Sequence, residues 1–294
     1  MQALQRTGEI RTGSRCAAPN MLDMIVREIT CKSALTRSGI GGVDYALNPY
    51  VGCQHGCAYC YAVFMKRFTG HREEWGQFVD VRVNAPQVLA KQLKRAKPGT
   101  VSLGTVTDAY QPLERQYQLS RQCLQALVIY PDFPTTVLTK SALVLRDLDI
   151  LREMKDVEVA FTITTLDDSV RRVLEPRASP IPQRIEALAR LHDAGISTWA
   201  FFGPALPVFS DSEEAINAFF AAVAQTGVSR ILVDTLNLTS ASWGRLQPIL
   251  EKHYPEVVDT YRLIWQDRHG YATALANRVA RVAERYHVRY ELCF

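Results

Sequence analysis

Between positions 44 and 235 the chain repeats one pattern, a short β-type run followed by an amphipathic stretch of helical length. The runs are Asp44–Asn48, Val101–Thr105, Thr135–Thr139, Val157–Thr164, Thr198–Phe202 and Ile231–Thr235. Helical stretches follow near Gln116–Tyr130, Leu143–Met154, Pro182–Ala194 (ended by Gly195) and Asp211–Thr226 (ended by Gly227). Strands alternating with helices in this way build parallel βαβ units with right-handed crossovers. Six units fall short of an eight-fold barrel, which typically takes about 250 residues. The expected fold is therefore α/β, an incomplete (β/α)6 barrel of the TIM type. The first run leads directly into the chain's densest cysteine segment.

That segment reads Asn48-Pro-Tyr-Val-Gly-Cys-Gln-His-Gly-Cys-Ala-Tyr-Cys-Tyr61 and places Cys53, Cys57 and Cys60 in C-x3-C-x2-C spacing. Three close thiolates can hold three irons of a 4Fe–4S cube, whose ligand count is four. The fourth iron then stays open, as an exchangeable position does in a reactive metal site. Gly52 and Gly56 allow a tight loop around such a group. A structural zinc site is the other reading of the same residues, with His55 or His71 as a fourth ligand. A disulfide framework does not fit seven cysteines in a chain with no secretory features. Cys16, Cys31, Cys123 and Cys293 read as small buried hydrophobes, with Cys31 and Cys293 also considered as hydrogen-atom donors.

The C-x3-C-x2-C loop with an aromatic residue before its last cysteine resembles the radical S-adenosylmethionine (SAM) superfamily. The whole stretch from about 30 to 235 is similar to the spore photoproduct lyase-related branch, often labelled DNA-repair-photolyase-like. Beside the cysteine loop, the resembling blocks are Leu103-Gly-Thr-Val-Thr-Asp-Ala-Tyr-Gln-Pro-Leu-Glu114, Leu138-Thr-Lys-Ser141 and Phe161-Thr-Ile-Thr-Thr165. The resemblance implies a partial (β/α)6 barrel whose 4Fe–4S cluster is held by Cys53, Cys57 and Cys60. SAM would chelate the open iron and be cleaved reductively to a 5′-deoxyadenosyl radical that abstracts hydrogen from a substrate. Tyr59 would lie beside the adenine, with Thr107, Asp108, Lys140 and Thr162 around SAM. A reducing partner such as a flavodoxin or ferredoxin would supply the electron. Dimer-repairing members carry a cysteine just before the Ser-Asp-like pair, where this chain reads Gly104-Thr-Val-Thr-Asp108 with none.

The expected activity is accordingly that of a radical SAM enzyme, of lyase or oxidoreductase type, acting on an unidentified small molecule, peptide or nucleic acid. Repair of a nucleic-acid lesion is the alternative within that class, and a non-catalytic metal- or Fe–S-binding protein the alternative outside it. Polar residues gather after the β-type runs: Thr139-Lys-Ser141, Thr162 to Asp167, Glu175-Pro-Arg177, Asp234 and Asn237. In a parallel barrel that end carries the chemistry. Lys140 or Arg177 suits the carboxylate of SAM, and Thr and Asp side chains suit its ribose and amino group. Glu175 and Arg177 also read as a local ion pair.

Charged residues make up 22% and hydrophobic ones 47%, with a net charge of +4. That balance permits a nucleic-acid substrate without arguing for one. Lys91–Lys97 and Arg278–Arg289 read as solvated helix faces. No apolar run nears the roughly 18 residues that span a bilayer, and Met1–Ala18 has no apolar core of a signal peptide, so a cytoplasmic protein is expected. The expected organisation is a leading segment 1–40, with Met1–Asn20 disordered, a barrel 41–239 and a C-terminal helical extension 240–294 that closes the open barrel. In the extension, Trp243–Tyr254 and Tyr271–Tyr286 read as helices and Val288–Leu292 as a strand. The connection Phe64–Val83 is long, and its aromatics predict an ordered cover over the site.

Overall fold

The computed structural model describes residues 24–294, so the reading of Met1–Asn20 lies outside the described residues. Eleven strands are present: β1 (Ile25–Ile29), β2 (Leu35–Arg37), β3 (Tyr45–Leu47), β4 (Tyr50–Val51), β5 (Phe78–Arg82), β6 (Val101–Leu103), β7 (Thr135–Thr139), β8 (Val157–Thr162), β9 (Ser197–Ala205), β10 (Arg230–Thr235) and β11 (Arg289–Leu292). The main sheet runs β11-β10-β9-β8-β7-β6-β3-β2. Every neighbouring pair in it is parallel except β2 with β3.

The six expected strands are β3 and β6 to β10, in chain order across the sheet, which is the partial (β/α)6 barrel. β2 and β11 form its two edges, so the barrel is open. The C-terminal extension does not close it: β11 lies parallel on β10 and lengthens the curved sheet by one strand. The helices of the extension, Ser240–His253, Val258–Gln266 and Arg268–Ala283, do other work described below.

Alternation along the strands sorts their side chains onto two faces. The row Leu47, Leu103, Val137 and Val159 crosses four paired strands and is fully buried. It packs, with Phe161, Phe202 and Ile231, against Leu89, Leu124, Leu188, Phe219 and Phe220 of the surrounding helices. This is the main core. Lys140, Thr162 and Asp234 have the opposite parity and belong to the concave side, at the strands' C-terminal ends.

The connection from the cysteine loop to β6 is more structured than a loop. A 3-10 segment spans Tyr61–Phe68, β5 pairs with β1 and β4 in a separate three-stranded sheet, and a helix covers Ala85–Leu93. Phe64 and Phe68 face solvent, whereas Trp75 and Phe78 are buried against Cys53 and Ala62. Only the second half of the expected aromatic cover therefore lies on the site.

Candidate active site

The cysteine loop follows β3 and β4 at the C-terminal end of the barrel strands. Gly52 and Gly56 have φ of +87° and +62°, a region L side chains avoid. Gly76 crosses over the loop so closely that a Cβ on it would stand 2.7 Å from the Cα of Gly56. These turns direct Cys53 and Cys57 inward, both buried, with Cys60 partly buried beside them.

The loop backbone is held by donors from several elements. Thr107 Oγ1 donates to the Gly52 carbonyl at 2.6 Å, and Gln111 accepts from the Gln54 amide at 2.8 Å. Arg177 Nη1 donates to the carbonyls of Gln54 (3.0 Å) and Gly76 (2.7 Å). Arg245, on the helix Ser240–His253, donates to the carbonyls of Trp75 (2.9 Å) and Cys57 (3.4 Å). That helix also packs Trp243, Leu246 and Leu250 against Cys57, Ala58 and Tyr59. The extension thus covers the cysteine loop.

Beneath the loop lies a buried ionic knot. Glu175 and Arg184 are both fully buried and paired. Glu175 also accepts from the Tyr59 hydroxyl and, at 3.0 Å, from Thr164 Oγ1. Arg184 further donates to the carbonyls of Ser179 (2.8 Å) and Thr162 (2.9 Å). Glu175 therefore pairs with Arg184 and not with Arg177, correcting the local pair read from sequence. Burial opposes its ionisation, but Arg184, Lys140 and the Tyr59 hydroxyl hold it below the ordinary carboxylate range.

The residues named from sequence fall into two groups. Thr107 and Asp108 are already engaged. Asp108 accepts from Thr139 Oγ1 (2.7 Å) and from the amides of Lys140 (2.7 Å) and Tyr110 (2.8 Å). His55 Nδ1 stands 3.2 Å from its other side, off the hydrogen-bonding line. Despite burial, these neighbours, His55 foremost, keep Asp108 ionised far into acid. Lys140, in contrast, has no carboxylate within 4.0 Å and no hydrogen bond from its ammonium among the described residues, which rests 5.9 Å from the centroid of the Tyr59 ring. Burial disfavours its charge, but Cys57 and Glu175 outweigh that and raise it above the ordinary lysine value. Thr162 is buried beside it with its hydroxyl uncommitted.

Other expectations change. Tyr61, directly after the last cysteine, is 49% exposed and donates to the Thr105 carbonyl. Cys31 packs among the main-core residues near Asn84, away from the loop, whereas Cys293 lies exposed at the sheet edge. Arg184 and Arg245 were not read from sequence. Arg184 carried a signal: it occupies the apolar stripe of Ile181, Leu188 and Leu191, where an uncompensated arginine has no reason to be.

The donor set fits an iron–sulfur cube better than a single zinc ion. Among the described residues, no three His, Cys, Asp or Glu side chains gather on one metal position, whereas a cube takes each thiolate on a separate iron. His71 is no ligand, because its two ring nitrogens face Glu73 (2.8 Å) and Asp80 (2.9 Å). Burial pushes the Cys53 thiol up to about 12, holds that of Cys57 well above the ordinary thiol value, and raises Cys60. Thiolates so placed need cationic company, which a metal core supplies. The buried Trp75 Nε1 has no partner in the protein and lies in the cluster of side chains around Cys53 and Cys60.

The radical SAM superfamily model matches residues 47–220. An uncharacterized protein of Methanocaldococcus jannaschii is 32% identical over 230 residues, covering 78% of this chain and 83% of the relative. One of Mycobacterium tuberculosis is 30% identical over 303 residues, covering 97% and 87%. Among solved structures, spore photoproduct lyase complexed with dinucleoside spore photoproduct gives a TM-score of 0.69 at 16% identity, over 92% of this chain and 82% of that one. SuiB of Streptococcus suis bound to S-adenosylmethionine gives 0.53 at 16%, over 84% and 49%. At such identities the likeness shows the fold. No helix among the described residues is long and apolar enough to cross a membrane.

Proposed function

We propose, from the premise that this chain belongs to the radical SAM superfamily, that it is an enzyme abstracting hydrogen from a substrate bound at the mouth of the partial barrel. The superfamily works with a 4Fe–4S cluster and SAM. When bound, the cluster supplies the electron for reductive cleavage of SAM, with a flavodoxin or ferredoxin as the source. Cys53, Cys57 and Cys60 are the three protein ligands. Tyr59 presents its ring to the adenine, fixed from behind by Glu175. Lys140 carries a cation without a partner toward the SAM carboxylate, and Thr162 offers a hydroxyl to the ribose or amino group. Thr107 and Asp108 serve SAM indirectly, the first by holding the cysteine loop at Gly52, the second by fixing the Lys140 backbone.

The observation that supports this most is the pairing of a three-cysteine loop with a lysine at the end of β7 that is unpartnered among the described residues. Three thiolates alone suit an electron carrier, but such a carrier needs no free cation above its cluster. The test is anaerobic reconstitution, reduction with dithionite and incubation with SAM, following 5′-deoxyadenosine beside a Cys57→Ala control. Product from the wild type alone is expected. A correctly loaded cluster whose EPR spectrum ignores SAM would refute the reading.

A further inference from the structure

We propose that Arg177 and Arg245 are the counter-cations of the cluster, positioning residues whose charge raises its reduction potential as well as holding its loop. This rests on the radical SAM reading and adds two residues to it. Each guanidinium is half-buried, and among the described residues neither has a carboxylate within 4.0 Å. Their hydrogen bonds go only to carbonyls of the cysteine loop and of the Trp75–Gly76 crossing: Gln54 and Gly76 for Arg177, Cys57 and Trp75 for Arg245. Arg171 and Arg184, two other buried arginines at this end, each have an acidic partner.

A cation removed from water is costly unless opposite charge is near. Burial does pull both guanidiniums below the usual arginine range. Arg177 is held at the Gln54 carbonyl, next to Cys53, and Arg245 at the carbonyl of Cys57 itself, so the opposite charge these cations lack is that of the three thiolates when they hold the cluster. The two guanidiniums reach the loop from different elements, the segment before the helix Ile181–Asp193 and the C-terminal extension. Reduction adds a negative charge to the cluster, and fixed positive charge nearby favours it. Lys140 is reserved for SAM in the reading above, so the two arginines are the permanent part of this field.

A purely structural clamp would need the donors but not the charge, and the variants separate the two. Arg177→Gln and Arg245→Gln keep an N–H donor and lose the charge, whereas the corresponding Lys variants keep the charge and lose the fork. Anaerobically reconstituted protein without SAM is titrated spectroelectrochemically, with iron content and a thermal melt as controls. Each Gln variant is expected to lower the reduced-to-oxidised ratio at fixed potential at least tenfold, about 59 mV for a one-electron couple, and each Lys variant to recover most of it. If a Gln variant folds but loses iron, recovery of iron by Lys and not by Gln supports the same conclusion. Fully loaded Gln variants with wild-type potential, or Lys variants as impaired as Gln, overturn it while leaving the radical SAM reading intact. Wild-type protein that takes up no iron and sulfide overturns both.

Discussion

Replacing Glu175 by Gln tests the ionic knot beneath the cysteine loop, because it removes one charge and almost no volume. Glu175 and Arg184 are both wholly buried, so the variant strands the guanidinium with only the carbonyls of Ser179 and Thr162. Breaking a buried pair by deleting one partner costs about 3–5 kcal/mol. At roughly 2–4 °C per kcal/mol for a chain of this size class, the melting temperature falls by about 6–20 °C. The pH dependence carries a sign. Glu175 is held below its ordinary value in the fold, so its contribution is complete above the unfolded value of about 4.3 and is lost as pH falls through the lower folded one. The gap between wild type and Glu175→Gln should therefore be full at pH 7 and narrow in acid. The assay is denaturant unfolding of the apoprotein at pH 7, 5 and 4. A second variant, Glu175→Gln with Arg184→Met, should recover part of the loss, because it removes the stranded charge. A gap below about 1 kcal/mol at pH 7, or one that widens in acid, would refute the assignment.

Three further outcomes follow from the same geometry. Lys140→Met should weaken SAM binding about 10- to 100-fold, the worth of one charged hydrogen bond, with iron content unchanged; calorimetric titration of the reconstituted protein checks it, and an unaltered Kd counts against the role. Gly76→Ala forces a side chain at φ +99° into the Gly56 backbone and should cost about 1–3 kcal/mol together with iron retention, read by melting and metal analysis. His71→Ala breaks contacts to Glu73 and Asp80 and should lower stability by about 1–3 kcal/mol without changing metal content. Loss of metal in that variant would revive the zinc alternative.

The barrel was legible because β7, β8 and β10 are compact β-branched runs and the other strands recur with them between helical stretches. β1 and β5 were not. β1 lies at the edge of the small sheet with most of its residues exposed, Ile25 and Val26 included, so burial leaves no alternation in its sequence. β5 is nearly continuous in burial and sits inside a stretch that reads as one connection. The cysteines were legible because spacing alone defines them. Asp108 illustrates the opposite case: a carboxylate at a strand end reads as a ligand contact, yet the amides of Tyr110 and Lys140 claim it first, since buried backbone donors must be satisfied locally. No sequence pattern distinguishes the two uses.

The same accounting explains why arginine recurs around the cysteine loop. A loop that turns its cysteines inward must turn much of its backbone outward, and glycines at positive φ keep its carbonyls out of any sheet ladder. That of Gln54, and those of Trp75 and Gly76 crossing above, still need donors, and that of Cys57, which accepts from the Cys60 amide at 3.2 Å, has a second lone pair to satisfy. A lysine is a compact charge on a flexible stem, whereas the planar guanidinium presents several donors in a fixed fork and reaches two carbonyls from one side chain, as Arg177 and Arg245 each do. One demand of the backbone and one of the thiolates are met by the same two residues. This is why one of them comes from the C-terminal extension: the barrel supplies the strands and the cysteines, but the helix Ser240–His253 must lie over the loop before the second guanidinium can arrive.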